Sequence, residues 1–94
     1  MIEILGLKWK IKYDKNIDSN VAGESRFYDG SIALKPIKQK HFTEETLFHE
    51  ISEICYEGLF DEAVDNHDKF TAHMSLLFAV LKNAGVLKLK ALLP

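Results

Sequence analysis

The sequence predicts an α+β fold in which a small three-stranded antiparallel sheet packs on a two-helix hairpin. Three observations carry that expectation. From Leu7 to Tyr13 apolar Leu7, Trp9, Ile11 and Tyr13 alternate with Lys8, Lys10 and Lys12, the period of a half-buried strand. Asp29-Gly30 stands between two short β-compatible runs, a dipeptide that supplies the positive φ angles of a tight hairpin. After Pro36 two segments carry apolar residues at spacings of three and four, the period of helices with one face turned to a core.

Taken in order, the first strand is Leu7 to Tyr13, and its lysines read as a solvated face that discourages edge pairing rather than as a phosphate-binding stripe. A polar connection follows. Arg26-Phe27-Tyr28 and Ser31 to Lys35 then form a two-residue hairpin, ended by Pro36, which has no amide hydrogen for a ladder. The first helix should begin near Glu44, with Thr43 as cap, Glu44 and Glu45 at the positive end of the dipole, and Phe42 stapled on Leu47. It has two occupied sides. Leu47, Phe48, Ile51, Ile54, Cys55, Gly58 and Leu59 fall on one, with Cys55 as a small hydrophobe of the core; His49, Glu53, Tyr56 and Phe60 fall on the other. Asp65 or Asn66 offers the next cap, and a second helix runs to Asn83, stopped by Gly85. Its stripe is Phe70, Met74, Leu77, Phe78 and Leu81, and His67 lies on the same stripe one turn earlier, so His67 is expected to point inward. The tail VLKLKALLP suits either a short strand or a docked turn.

Length and composition bound the function. Ninety-four residues make one domain, 1–94, with a single core, and 47% hydrophobic against 28% charged residues is an ordinary globular balance. A net charge of −2 without a basic block argues against nucleic acid. A lone cysteine, an opening stretch without the order of a signal peptide, and no apolar run of the roughly 20 residues a membrane span needs together lead to the expectation of a cytoplasmic protein.

The chemistry-bearing stretch is His49-Glu50-Ile51-Ser52-Glu53. Side chains four apart on a helix share a face, so His49 and Glu53 can converge on one ion, and His67 from an antiparallel second helix adds a third ligand. Two imidazoles and a carboxylate suit zinc with one position open. Glu50 lies a quarter turn from the ligands, where a general base belongs. Compared with the arrangement in which both histidines come from the first helix and the glutamate from the second, Glu53 and His67 exchange roles while ligand set and charge stay the same. A metal site requires all three side chains to meet, and a His67 facing solvent would end the metal reading. The plain alternatives are a polar helix face at residues 49–53 and, for His67, a core histidine bonded to a carbonyl. His41 and His73 are not expected ligands. One of Asp61, Asp65 and Asp68 is a candidate to orient a ligand histidine, and Tyr56 either faces an oxyanion or packs as an aromatic.

The order of strand, Gly-bearing hairpin, Thr46-Leu47-Phe48-His49-Glu50-Ile51-Ser52-Glu53-Ile54 and then His67, Phe70 and Leu77-Phe78-Ala79-Val80-Leu81 resembles small phage and prophage zincin-like proteins of the minigluzincin type. That resemblance spans nearly the whole chain. It implies a minimal zincin-like domain with zinc at His49, Glu53 and His67 and Glu50 as general base. It also implies that a peptide substrate lies along the strand Ser31 to Lys35 as an added edge strand. The expectation is a zinc metallopeptidase; the rival is a non-catalytic interaction module in which a metal, or nothing, staples the helices.

Overall fold

The computed structural model describes residues 1–94 and shows a compact α+β molecule: a four-stranded mixed sheet, two helices and a short 3-10 turn. The strands are β1 (Ile2–Ile4), β2 (Leu7–Tyr13), β3 (Gly23–Arg26) and β4 (Ser31–Leu34); the helices are α1 (Lys40–Phe60) and α2 (His67–Asn83).

Across the sheet the order is β1-β2-β4-β3. β1 and β2 pair antiparallel, β3 and β4 pair antiparallel, and β2 runs parallel to β4 with Ile11 opposite Ile32. The expected three antiparallel strands are thus corrected to four in a mixed sheet. The physical reason is the loop from Asp14 to Ala22: it carries the chain past one strand's width, so β3 returns at the far edge and β4 fills the slot beside β2. β4 bears the mark of that position. Ser31, Ile32, Ala33 and Leu34 are all buried, a run without alternation that belongs to a covered central strand.

The strand bounds shift as well. β1 joins β2 through Leu5-Gly6, both at positive φ (52° and 82°), a two-residue turn that leucine does not announce. Gly23 to Arg26, not Arg26 to Tyr28, pairs with β4, so the hairpin loop is Phe27 to Gly30 rather than two residues, with Gly30 at φ 66°. Asp29 uses its side chain instead, accepting from Ser31 Oγ at 2.6 Å.

α1 starts at Lys40, earlier than expected, after Gln39, which makes no side-chain cap bond. Thr43 is therefore inside the helix and buried, its Oγ1 without a partner, and Glu44 is buried beside Lys82, whose Nζ lies 3.2 Å from its Oε1. The cap of α2 is as expected: Asn66 Oδ1 accepts from the Lys69 amide at 3.0 Å. Contacts run in opposite order along the two helices, Glu44 to Lys82, Phe48 to Phe78 and Glu53 to His67, so they are antiparallel. Their shared core joins Ile4, Trp9, Ile32, Leu34, Leu47, Ile54, Phe78 and Leu89. Leu89 belongs to a docked tail that ends in a 3-10 turn at Lys90–Leu92, not in a strand. Within α2 only Phe78 is fully buried, so this helix rests lightly on the rest.

No helix is long and apolar enough to cross a membrane.

Candidate metal centre

A cleft of about 670 Å3 opens between the outer edge of β3 and the two helices, and the expected ligands meet on its floor. Gly23 permits its narrowness. A Cβ there would fall 2.7 Å from Thr46 Cγ2 and 3.1 Å from the Ala33 carbonyl, so only glycine lets β3 lie this close to α1.

His49 Nε2 lies 3.1 Å from Glu53 Oε2, as the one-turn spacing on α1 dictates, and His67 Nε2 reaches the same oxygen at 3.6 Å from the first residue of α2. One ligand atom from each of the three lies within 4.8 Å of the others. Ligands about 2 Å from a tetrahedral ion stand about 3.3 Å apart, so the two distances to Glu53 bracket what zinc asks of its donors. The donor set fits. Burial holds the His49 imidazole below its usual range, against the pull of the Glu53 charge and with the help of His67, which keeps a lone pair available for a cation. The His49 ring also packs edge-on against His67 and Phe70, at centroid distances of 5.3 Å each.

His67 departs from expectation in one respect. Its side chain is 60% exposed and stands at the rim of the cleft instead of pointing into the core. It is nevertheless turned toward Glu53 and not away from it. A residue that opens a helix has no preceding turn to cover it, which is why the stripe argument misplaced its burial while placing its direction.

Glu50 is 7% exposed and lines the same cleft. Burial pushes its carboxyl up to about 7, while a hydrogen bond from Ser25 Oγ at 2.8 Å works in the opposite direction. Such a group exchanges protons near neutrality, the condition for a general base. Glu57, one turn beyond Glu53, is also raised, by burial first and by the Glu53 charge second.

The remaining candidates are sorted by position. None of Asp61, Asp65 and Asp68 hydrogen-bonds to a ligand histidine, and Tyr56 packs against Phe60 and Phe70. His41 lies in the first turn of α1 against the rings of Phe42 and Phe78 and not ahead of the helix, and His73 is exposed. The strand Ser31–Leu34 is flanked on both sides, by β2 and β3, and cannot accept an added strand; β3 is the edge beside the cleft. The functional residue that sequence reasoning missed is Ser25. It closes the polar run 14–25, where a hydroxyl near a turn is its only signal.

No protein family matches the chain, and neither a curated protein nor a solved structure does so.

Proposed function

We propose that the protein is a minimal zincin-like metallopeptidase with zinc held by His49, Glu53 and His67 and with Glu50 as general base. The observation that carries this reading is the convergence of three donors from two helices beside a buried carboxylate poised near neutral pH. Bound there, zinc would supply Lewis acidity, lowering the pKa of water and polarising a peptide carbonyl. Glu50 takes the proton from the attacking water and passes it to the departing amine. Ser25 holds that carboxylate by one oxygen, leaving the other free for the transfer. A substrate peptide lies along β3: the Lys35 amide bonds the Ala22 carbonyl, so by ladder alternation the main-chain groups of Gly23 and Ser25 face outward and are free to pair.

The non-catalytic reading has one observation in its favour. With a single fully buried residue in α2, a metal tying His67 to α1 would stabilise the helix pair without any chemistry. The two are separated by incubating zinc-loaded protein and its Glu50→Gln variant with a mixed peptide library and following cleavage by mass spectrometry. Cleavage by wild type alone supports the peptidase; cleavage by neither leaves the staple.

A further inference from the structure

Along α1 the residues Glu45, His49, Glu53 and Glu57 follow one another at intervals of four and all line the cleft, so the two inner ligands are flanked by a carboxylate on either side. No lysine or arginine lines it. Arg26, next to Ser25 on β3, is bound to Asp14 and Glu24, both at 2.6 Å. Other carboxylates in the cleft have partners: Glu24 has Arg26, Glu50 has Ser25, and Glu53 has the two histidines. Glu45 and Glu57 make no ion pair and no hydrogen bond although both are half-buried.

We infer that the cleft selects a cationic peptide, an extended segment whose lysine or arginine side chains are received by Glu45 and Glu57 on the two sides of the metal centre. The inference rests on the reading of the cleft as a peptide-binding groove. Spacing supports it. Four helical residues rise about 6 Å, and an extended peptide advances about 3.3 Å per residue, so each flanking carboxylate stands about two peptide residues from the nearer ligand on α1. A zinc ion does not reverse the preference, because its two charges are outweighed by Glu53 together with Glu45 and Glu57. An acidic peptide meets like charge at both ends and no compensating base, which discriminates by repulsion as well as attraction.

The test measures binding apart from turnover. Three fluorescein-labelled octapeptides of the same alanine frame, carrying lysine, glutamine or glutamate at alternate positions, are titrated by anisotropy with the Glu50→Gln protein at low salt, zinc-loaded and metal-free. The lysine peptide should bind about tenfold more tightly than the glutamate peptide, with a preference that shrinks as salt is added. Glu45→Gln and Glu57→Gln should each cost about threefold, and the double variant should lose the preference. Equal affinity for the three peptides, no binding of any, or a preference unchanged in the double variant would overturn the inference. The two readings fail separately. A wild-type protein that binds the lysine peptide but cleaves none sinks the peptidase and keeps the cation-selective groove, whereas equally fast cleavage of acidic and basic peptides does the reverse.

Discussion

Ser25 Oγ donates a 2.8 Å hydrogen bond to Glu50 Oε2, joining the free edge of the sheet to the one carboxylate that α1 buries beside the cluster of His49, Glu53 and His67. A hydrogen bond to a charged acceptor contributes about 2 kcal/mol, and its loss leaves the acceptor buried and unpaired. Ser25→Ala should therefore lower stability in urea by about that amount at pH 8, and Ser25→Thr, which keeps the hydroxyl, should restore most of it. An alanine variant as stable as wild type would show that water replaces the serine.

The same carboxylate makes the metal-free protein sensitive to pH. Burial holds Glu50 at about 7 against an ordinary 4.5, so between those values the native state keeps a proton that the unfolded chain has released. The stability this group contributes is fully present below 4.5 and is lost as pH rises through 7, a change on the order of 3 kcal/mol. His49, held below its usual 6.5, acts in the opposite sense as pH falls, so the wild-type curve alone mixes the two. The difference between wild type and Glu50→Gln isolates Glu50. Melting both in chelator from pH 4 to 8.5 should show Glu50→Gln gaining on wild type as pH rises; parallel curves would remove the perturbed carboxyl.

Gly23 tests the closeness of sheet and helix. Gly23→Ala puts a methyl against Thr46 Cγ2 and the Ala33 carbonyl, and overpacking of this kind costs about 1–3 kcal/mol. Thr46→Ser removes the methyl it meets while keeping a hydroxyl for the Phe42 carbonyl. The double variant should recover part of the loss in thermal melts; strict additivity would mean that the carbonyl, not Thr46, is the obstacle.

Periodicity read the elements better than it read their neighbours. The alternation of β2 from Trp9 to Tyr13 and the apolar stripes of the helices were legible because each depends on a local side-chain pattern, although Leu7 and Leu59, at the ends of theirs, are largely exposed. Strand order was not, since the pairing of β2 with β4 is decided by a loop whose polar residues say nothing of where it lands. Yet Ser31-Ile32-Ala33-Leu34, with no polar alternation, carried the signature of a central strand, and that signature argued against using it as an edge. At the site, the spacing of His49 and Glu53 fixed their meeting through helix geometry, whereas the Ser25 bond to Glu50 depends on a register that no local rule sets.

Zinc should bind at about one ion per chain and raise the melting temperature, and chelation should reverse it. Ligand at a hundred times its dissociation constant stabilises by about 2.7 kcal/mol, a large increment for a domain whose second helix is so little buried. His49→Ala, Glu53→Ala and His67→Ala should each abolish the shift in a calorimetric titration. Identical melting of wild type with zinc and with chelator would reduce the three side chains to a polar cluster.

The strongest test of the ligand set exchanges two of its members. Glu53 Oε2 is the atom that both histidines approach, at 3.1 and 3.6 Å, so it occupies the centre of the cluster while His67 comes from the rim. Glu53→His with His67→Glu restores two histidines one turn apart on α1 and takes the carboxylate from α2, with the same total charge and the same donor atoms. Zinc has no ligand-field preference between the two orders, so the double variant should bind one ion, with affinity reduced by the mismatch in reach at position 67. Glu53→His alone leaves three neutral ligands around a dication and should bind more weakly than wild type at acid pH, where the third imidazole must lose a proton to coordinate. His67→Glu alone crowds two carboxylates beside one imidazole and should shift binding toward harder cations such as manganese. Competitive titration with a zinc-sensitive dye measures all four proteins. If the double variant binds no zinc while retaining its fold by circular dichroism, the two positions are not interchangeable, and the site depends on Glu53 itself bridging the histidines.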